Sequence, residues 1–208
     1  MKDANNSTKL SELICTRLCH DIIGNIGAVA NGVELLEEDD MDFLPDIKNI
    51  LNTSSKVLSS RLKFFRTTFG SSTSGLNDFA NVKELANGYL ETLGNRNNVI
   101  ELDWSEQYSS EELNKVILLL LVICGDCIAR EGKILVSGNN QELFIKVSAR
   151  TFAAQSRIDD IEKIIEFPNY NIIAQYSPLL YAIEELKSKS LKLGFEKSDE
   201  EIKFVISN

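Results

Sequence analysis

The sequence predicts an α+β protein in two parts. Residues 1–70 form an antiparallel helical hairpin, which completes a dimeric four-helix bundle, and residues 76–208 form an α/β sandwich. Three observations predict this. Apolar residues recur at spacings of three and four through residues 7–39 and again through 42–69. The stretch Gly70-Ser71-Ser72-Thr73-Ser74-Gly75 is a small, polar linker. Beyond it, helical and alternating patterns interchange. The 208 residues suit one large domain or two small ones. A net charge of −9 argues against nucleic acid or an anionic membrane as partner, since both need a cationic face.

The first helix is expected over 7–39, with Ser7 or Thr8 as cap and Glu12 favouring the first turns. Its apolar positions are Leu10, Ile14, Leu18, Ile22, Ile26, Val29, Val33 and Leu36. The chain has a single histidine, His20. At about 100° per residue it stands nearly opposite Leu18 and Ile22, on the polar side. Thr16 and Arg17 precede it on that side, and Gly24, Gly27 and Asn31 follow. A glycine inside a helix costs about 1 kcal/mol relative to alanine. Keeping Gly24 and Gly27 there implies close backbone approach, either by a neighbouring helix of the same chain or by another protein docking beside the imidazole.

The second helix, over 42–69, is expected to be capped near Asp42, with Pro45 in its first turn. Ile47, Ile50, Leu51, Val57, Leu58, Leu62 and Phe65 are its apolar positions. The turn between the helices holds seven acids and no base from Glu34 to Asp46. The far half of the second helix holds four bases and no acid: Lys56, Arg61, Lys63 and Arg66. A fold-back near Met41 places these bases level with His20. A two-helix hairpin cannot bury both faces, and a symmetric homodimer supplies the missing helices most simply.

In the second part, helices are expected over 78–94, 110–127, 156–165 and 177–190. Strands are expected over 99–104, 133–137, 142–149, 191–196 and 201–207. Ser109 or Ser110 with the following glutamates marks the start of the strongly apolar second of these helices. The longest uncharged apolar run, 116–124, is far short of the ~20 residues that span a bilayer. The first 20 residues do not read as a signal peptide. A cytoplasmic protein without a membrane partner is expected, with its cysteines reduced.

Certain residues carry a family resemblance. Cys19-His20-Asp21-Ile22-Ile23-Gly24-Asn25-Ile26-Gly27-Ala28-Val29, continuing through Asn31-Gly32-Val33-Glu34-Leu35-Leu36, resembles the histidine box of ChpT-type histidine phosphotransferases. Leu62-Lys63-Phe64-Phe65-Arg66 with Phe69-Gly70 resembles that family's second-helix signature. Where the family usually has proline, this chain has Asn25, which predicts a straighter helix. The resemblance implies a dimeric phosphotransferase whose second domain resembles a degenerate histidine-kinase ATPase domain. It also implies that the chain takes phosphate from the receiver domain of a hybrid kinase onto His20, and passes it to a response regulator. The sequence supports the loss of kinase function. Leu119 and Ile123 stand where metal-holding asparagines belong, and residues 150–160 contain no glycine for a phosphate loop.

On this reading His20 is the nucleophile and Asp21 orients or deprotonates its ring. Arg17 faces the phosphoryl or the partner's acids. Gly24, Asn25, Gly27, Asn31, Arg61 and Arg66 complete the partner-binding set. The chain itself holds no cofactor, and Mg2+ is expected in the partner's receiver pocket. Gly24, four positions after the histidine where related phosphatases carry a polar residue, predicts transfer without strong phosphatase activity. The rival readings are a non-catalytic dimeric adaptor for receiver domains, an ATP-dependent kinase, a zinc site at Cys15, Cys19 and His20, and a redox pair at Cys124 and Cys127.

Overall fold

The structure, a computed structural model, describes residues 2–37, 43–71, 74–94, 99–139, 142–167 and 173–208. Helix α1 (Lys2–Glu37) and helix α2 (Leu44–Phe69) form the expected antiparallel hairpin. Arg61 of α2 meets the backbone of Asp21, and Leu51 meets Gly32. A Cβ on Gly32 would come 2.8 Å from a Leu51 methyl, so the missing side chain is what lets α2 approach α1 here.

Two expectations about helix starts are corrected. α1 begins at Lys2, so Ser7 and Thr8 lie inside it rather than capping it. The Ser11 hydroxyl donates back to the Ser7 carbonyl, as serines within helices do. α2 has Phe43, not an acid, at its cap position, with Pro45 in the first turn as expected. Glu38, Asp39, Asp40, Met41 and Asp42 of the acidic turn lie outside the described residues. α1 is continuous through Asn25, in keeping with the absent proline.

The second part follows the expected order. Helix α3 (Phe79–Glu91) is capped by Asp78, and strand β1 (Ile100–Trp104) follows. Ser110 caps helix α4 (Glu111–Cys127) by accepting from the Leu113 amide. Strands β2 (Ile128–Gly138) and β3 (Leu143–Phe152) form a hairpin. Helices α5 (Gln155–Glu166) and α6 (Ser177–Ser188) precede the closing strands β4 (Lys192–Lys197) and β5 (Glu201–Ser207). The five-stranded sheet runs β1-β2-β3-β5-β4. β1 is parallel to β2, and every other pair is antiparallel.

The sheet register lines up one apolar row. Ile145 pairs with Val136 and Phe204, while Val147 pairs with Ile134 and Ile202, and all six are buried. α4 lies over this row and is buried on nearly every side, because α2, α3 and α6 enclose it as well. β2 starts earlier than its expected Lys133. Arg130-Glu131-Gly132 carries no strand pattern, and the register shifts there at a bulge with Glu131 at φ 36°.

The core does not stop at the linker, of which Ser72 and Thr73 lie outside the described residues. Phe64 and Phe65 of α2 share one buried cluster with Leu76, Tyr89, Trp104 and Leu120. Phe64 stacks on Tyr89 of α3 at 4.1 Å between centroids and 12° between planes. The signature phenylalanines of α2 therefore anchor the hairpin to the sandwich.

Candidate functional site

The 3.6-residue period of α1 turns His20 outward, and its side chain is 85% exposed. The residues on its inner flank are Leu18 and Ile22, which pack against the core. The expected level of α2 is confirmed, since Arg61 donates to the carbonyl of Asp21, next to His20.

Beneath the imidazole lies a compact charged network. His20 Nδ1 stands 3.4 Å from Asp21 Oδ1, at the outer limit of hydrogen-bonding distance. The other Asp21 oxygen accepts from Arg17 Nε at 2.7 Å. The two remaining guanidinium nitrogens reach Asp126 of α4 in a fork, Nη1 to Oδ2 at 2.8 Å and Nη2 to Oδ1 at 2.9 Å. Nη1 also donates to the Gln175 carbonyl. Arg17, Asp21 and Asp126 are only 11%, 14% and 17% exposed, so water screens these pairs weakly. Burial opposes the charge on Arg17, but its bonds and charge contacts with Asp126 and Asp21 raise its pKa above the ordinary arginine value. Tyr89, buried with its hydroxyl unpaired, lies in the field of this network. Its phenol is pushed upward first by burial and then by the charge of Asp126.

This geometry revises the expectation for four of the site residues. Arg17 does not project beside His20 to meet a phosphoryl or a partner's acids. It turns inward and is consumed within the chain. Arg61 is likewise engaged, donating to Asp21 O and to both the hydroxyl and carbonyl of Thr92 at the end of α3. Asn25, expected in the partner-binding set, is half-buried on the inner flank. Arg66 is exposed, but it lines a groove with Lys63 and Lys83 between α2 and α3 and does not touch the His20 network. The bases of α2 therefore do not ring the histidine.

Gly24, Gly27 and Asn31 are exposed on the His20 side. A Cβ on Gly24 or Gly27 would meet nothing within 4 Å. Among the described residues no helix packs onto either glycine, which favours the reading in which something else docks there. An apolar flank runs alongside, with Ile23, Ile26 and Val33 respectively 62%, 46% and 47% exposed. Ile26, Val33 and Leu36, expected to be inward, are thus largely uncovered in the single chain.

Asp126 was not among the expected site residues. Its signal in the sequence is an acid in the last turn of a helix, straight after an apolar run, where the helix dipole disfavours negative charge. The neighbouring Cys124 and Cys127 are buried. Burial raises both thiols, Cys127 to about 12, which removes the thiolate that redox chemistry needs. Among the described residues no group of three potential metal ligands occurs. The asparagine of α4, Asn114, was also overlooked. It is buried and fully used, donating to the Leu76 carbonyl and accepting from the Ser109 hydroxyl and the Ser110 amide. Leu119 and Ile123 are buried as well, and only Ala153 and Ala154 connect β3 to α5.

No family model matches the chain. It is 37% identical over 131 residues to protein phosphotransferase ChpT of Brucella abortus (strain 2308), a match covering 61% of this chain and 59% of that relative's length. The resemblance drawn from the histidine box and the second-helix signature is thereby borne out. A solved bacterial phosphotransferase shares the fold, with a TM-score of 0.74 over 95% of both chains at 24% identity. The histidine kinase AdeS of Acinetobacter baumannii aligns with a TM-score of 0.40 at 15% identity, over 90% of this chain and 95% of that one.

Proposed function

We propose that this chain is a histidine phosphotransferase of a phosphorelay, carrying the phosphoryl group on His20 between two receiver domains. The single observation that carries the reading is an imidazole 85% exposed on a helix, with a half-buried, clamped carboxylate at its Nδ1. A carboxylate at Nδ1 favours the tautomer with its proton there, which leaves the Nε2 lone pair free and facing outward. In the transfer step Nε2 attacks the phosphorus of a donor's aspartyl phosphate, in line with the departing carboxylate. The N–P bond forms as the P–O bond breaks, and the donor aspartate leaves with the electron pair. The ring keeps its Nδ1 proton, and Asp21 balances the positive charge it gains. An acceptor aspartate then attacks the phosphorus and the N–P bond breaks. Mg2+ belongs to the visiting receivers' acidic pockets. The donor is the receiver of a hybrid histidine kinase and the acceptor that of a response regulator.

The flank beside this surface suits a homodimer. The exposed Ile23, Ile26 and Val33 lie on the flank next to His20, and pairing two hairpins along it gives the four-helix bundle. The Ser7–Leu36 stretch is long and apolar enough, by length and composition, to cross a bilayer. Within it, however, Arg17 and Asp21 are ion-paired on the face that packs against the sandwich, and Leu10, Leu18 and Ile22 pack against the core. This favours a cytoplasmic chain with no membrane partner.

Incubation with a receiver domain labelled on its aspartate tests the proposal. Label moving to His20 supports the carrier, and stable binding without transfer supports the adaptor. The chain is expected to give no saturable signal with a fluorescent ATP analogue, because Asn114 is occupied and α4 offers no other asparagine. Micromolar binding would revive the kinase reading.

Gly24 and Gly27 supply a further test. Alanine at either fits the single chain and is expected to stabilise α1 by about 1 kcal/mol. For a chain of this size that raises Tm by about 2–4 °C. The same substitutions are expected to weaken receiver binding, measured by calorimetry, because a docked backbone must come close. Unchanged affinity would place the docking surface elsewhere.

A further inference from the structure

We infer that Asp126, on α4 of the sandwich, is a positioning residue for the His20 imidazole, acting through Arg17 and Asp21. The inference deepens the phosphotransfer reading and rests on it for its kinetic part. It follows from how the guanidinium of Arg17 is shared. Its fork meets both oxygens of Asp126, which leaves only Nε for Asp21. Asp21 therefore gives one oxygen to Arg17 and keeps Oδ1 toward His20 Nδ1. Without the Asp126 charge, the fork is free to turn onto Asp21. A bidentate arginine–carboxylate pair is the preferred geometry of these groups, and it takes up both carboxylate oxygens. The histidine then loses the acceptor that holds its proton on Nδ1.

The surroundings hold Asp126 and Asp21 in place. Arg157 of α5 donates to the Asp126 carbonyl at 2.9 Å, and Arg61 donates to the Asp21 carbonyl. Asp126 is also an acid at the wrong end of a helix for the dipole, and the bond to Arg17 offsets that cost. The sandwich thus supplies the outermost member of the chain Asp126–Arg17–Asp21–His20. A domain with no nucleotide role of its own would still set the state of the nucleophile.

Because His20 is the sole histidine, its ring nitrogens are assignable without ambiguity in 15N spectra. The wild-type protein is expected to show predominantly the Nδ1–H tautomer. Asp126→Asn is expected to shift it toward the Nε2–H form that free imidazole prefers in water. The same variant is expected to slow labelling of His20 about tenfold, as loss of an outer orienting partner typically does, with receiver affinity unchanged. Asp126→Glu, which keeps the carboxylate, is expected to restore much of both. A wild-type ring already in the Nε2–H form overturns the inference, whether or not any variant folds. So does a folded Asp126→Asn protein with an unaltered spectrum and rate. A wild-type chain that never takes label defeats the phosphotransfer reading instead, while the ring spectra still decide the positioning role.

Discussion

His20→Ala is expected to leave the fold untouched and to abolish phosphoryl acceptance. The imidazole is 85% exposed and its polar contact is with Asp21, so its removal changes stability by no more than about 0.5 kcal/mol. Chemistry depends on it entirely, because the chain has no second histidine to substitute. Loss of a nucleophile typically costs at least about 10³-fold in rate, which in a labelling assay reads as no transfer. Asp21→Asn is expected to be intermediate, about 10–10²-fold slower, since it removes proton positioning but not the attacking nitrogen. Rapid-quench labelling by a phosphorylated receiver measures both. Residual labelling of His20→Ala near the wild-type rate would move the acceptor to another residue.

Phe64→Ala is expected to be the most damaging single change to stability. Phe64 is fully buried where α2 meets α3, stacked on Tyr89 and edge-on to Phe65. Truncating such a ring removes its burial and leaves a cavity, at a cost of about 3–5 kcal/mol. For a chain of this length that lowers Tm by about 6–20 °C. The effect reaches the site, because Thr92, which caps the end of α3, anchors the Arg61 strap across Asp21. Denaturant unfolding at constant m-value measures the loss. A cost below about 1 kcal/mol would mean that the hairpin and the sandwich do not depend on this contact.

The sequence was most legible where a local period decides the outcome. The 3.6-residue repeat placed His20 outward, a fold-back near Met41 set α2 level with it, and the glycines on that face pointed to close approach. Asp78 and Ser110 cap their helices as short polar side chains do. It was least legible where a long side chain chooses a distant partner. Helical geometry puts Arg17 one turn from His20, but its guanidinium reaches back to an acid 109 residues away. No pattern within α1 announces that choice. Asp126 was hidden for the complementary reason, being a single acid in an apolar run whose meaning appears only when α1 lies against it. The start of α1 was misplaced because Ser7 and Thr8 suit a cap or a helix interior, and Ser11 bonds to Ser7 in the latter way. The early turns of β2 were missed because Arg130 and Glu131 sit at a bulge.

The most direct test is to follow, by rapid quench, the decay of a receiver's aspartyl phosphate in the presence of this chain and to locate the phosphoryl group. The account predicts an acid-labile phosphohistidine on Nε2 of His20 that rises as the aspartyl phosphate falls and drains when a second receiver is added. Decay to inorganic phosphate with no phosphohistidine at any time would contradict it.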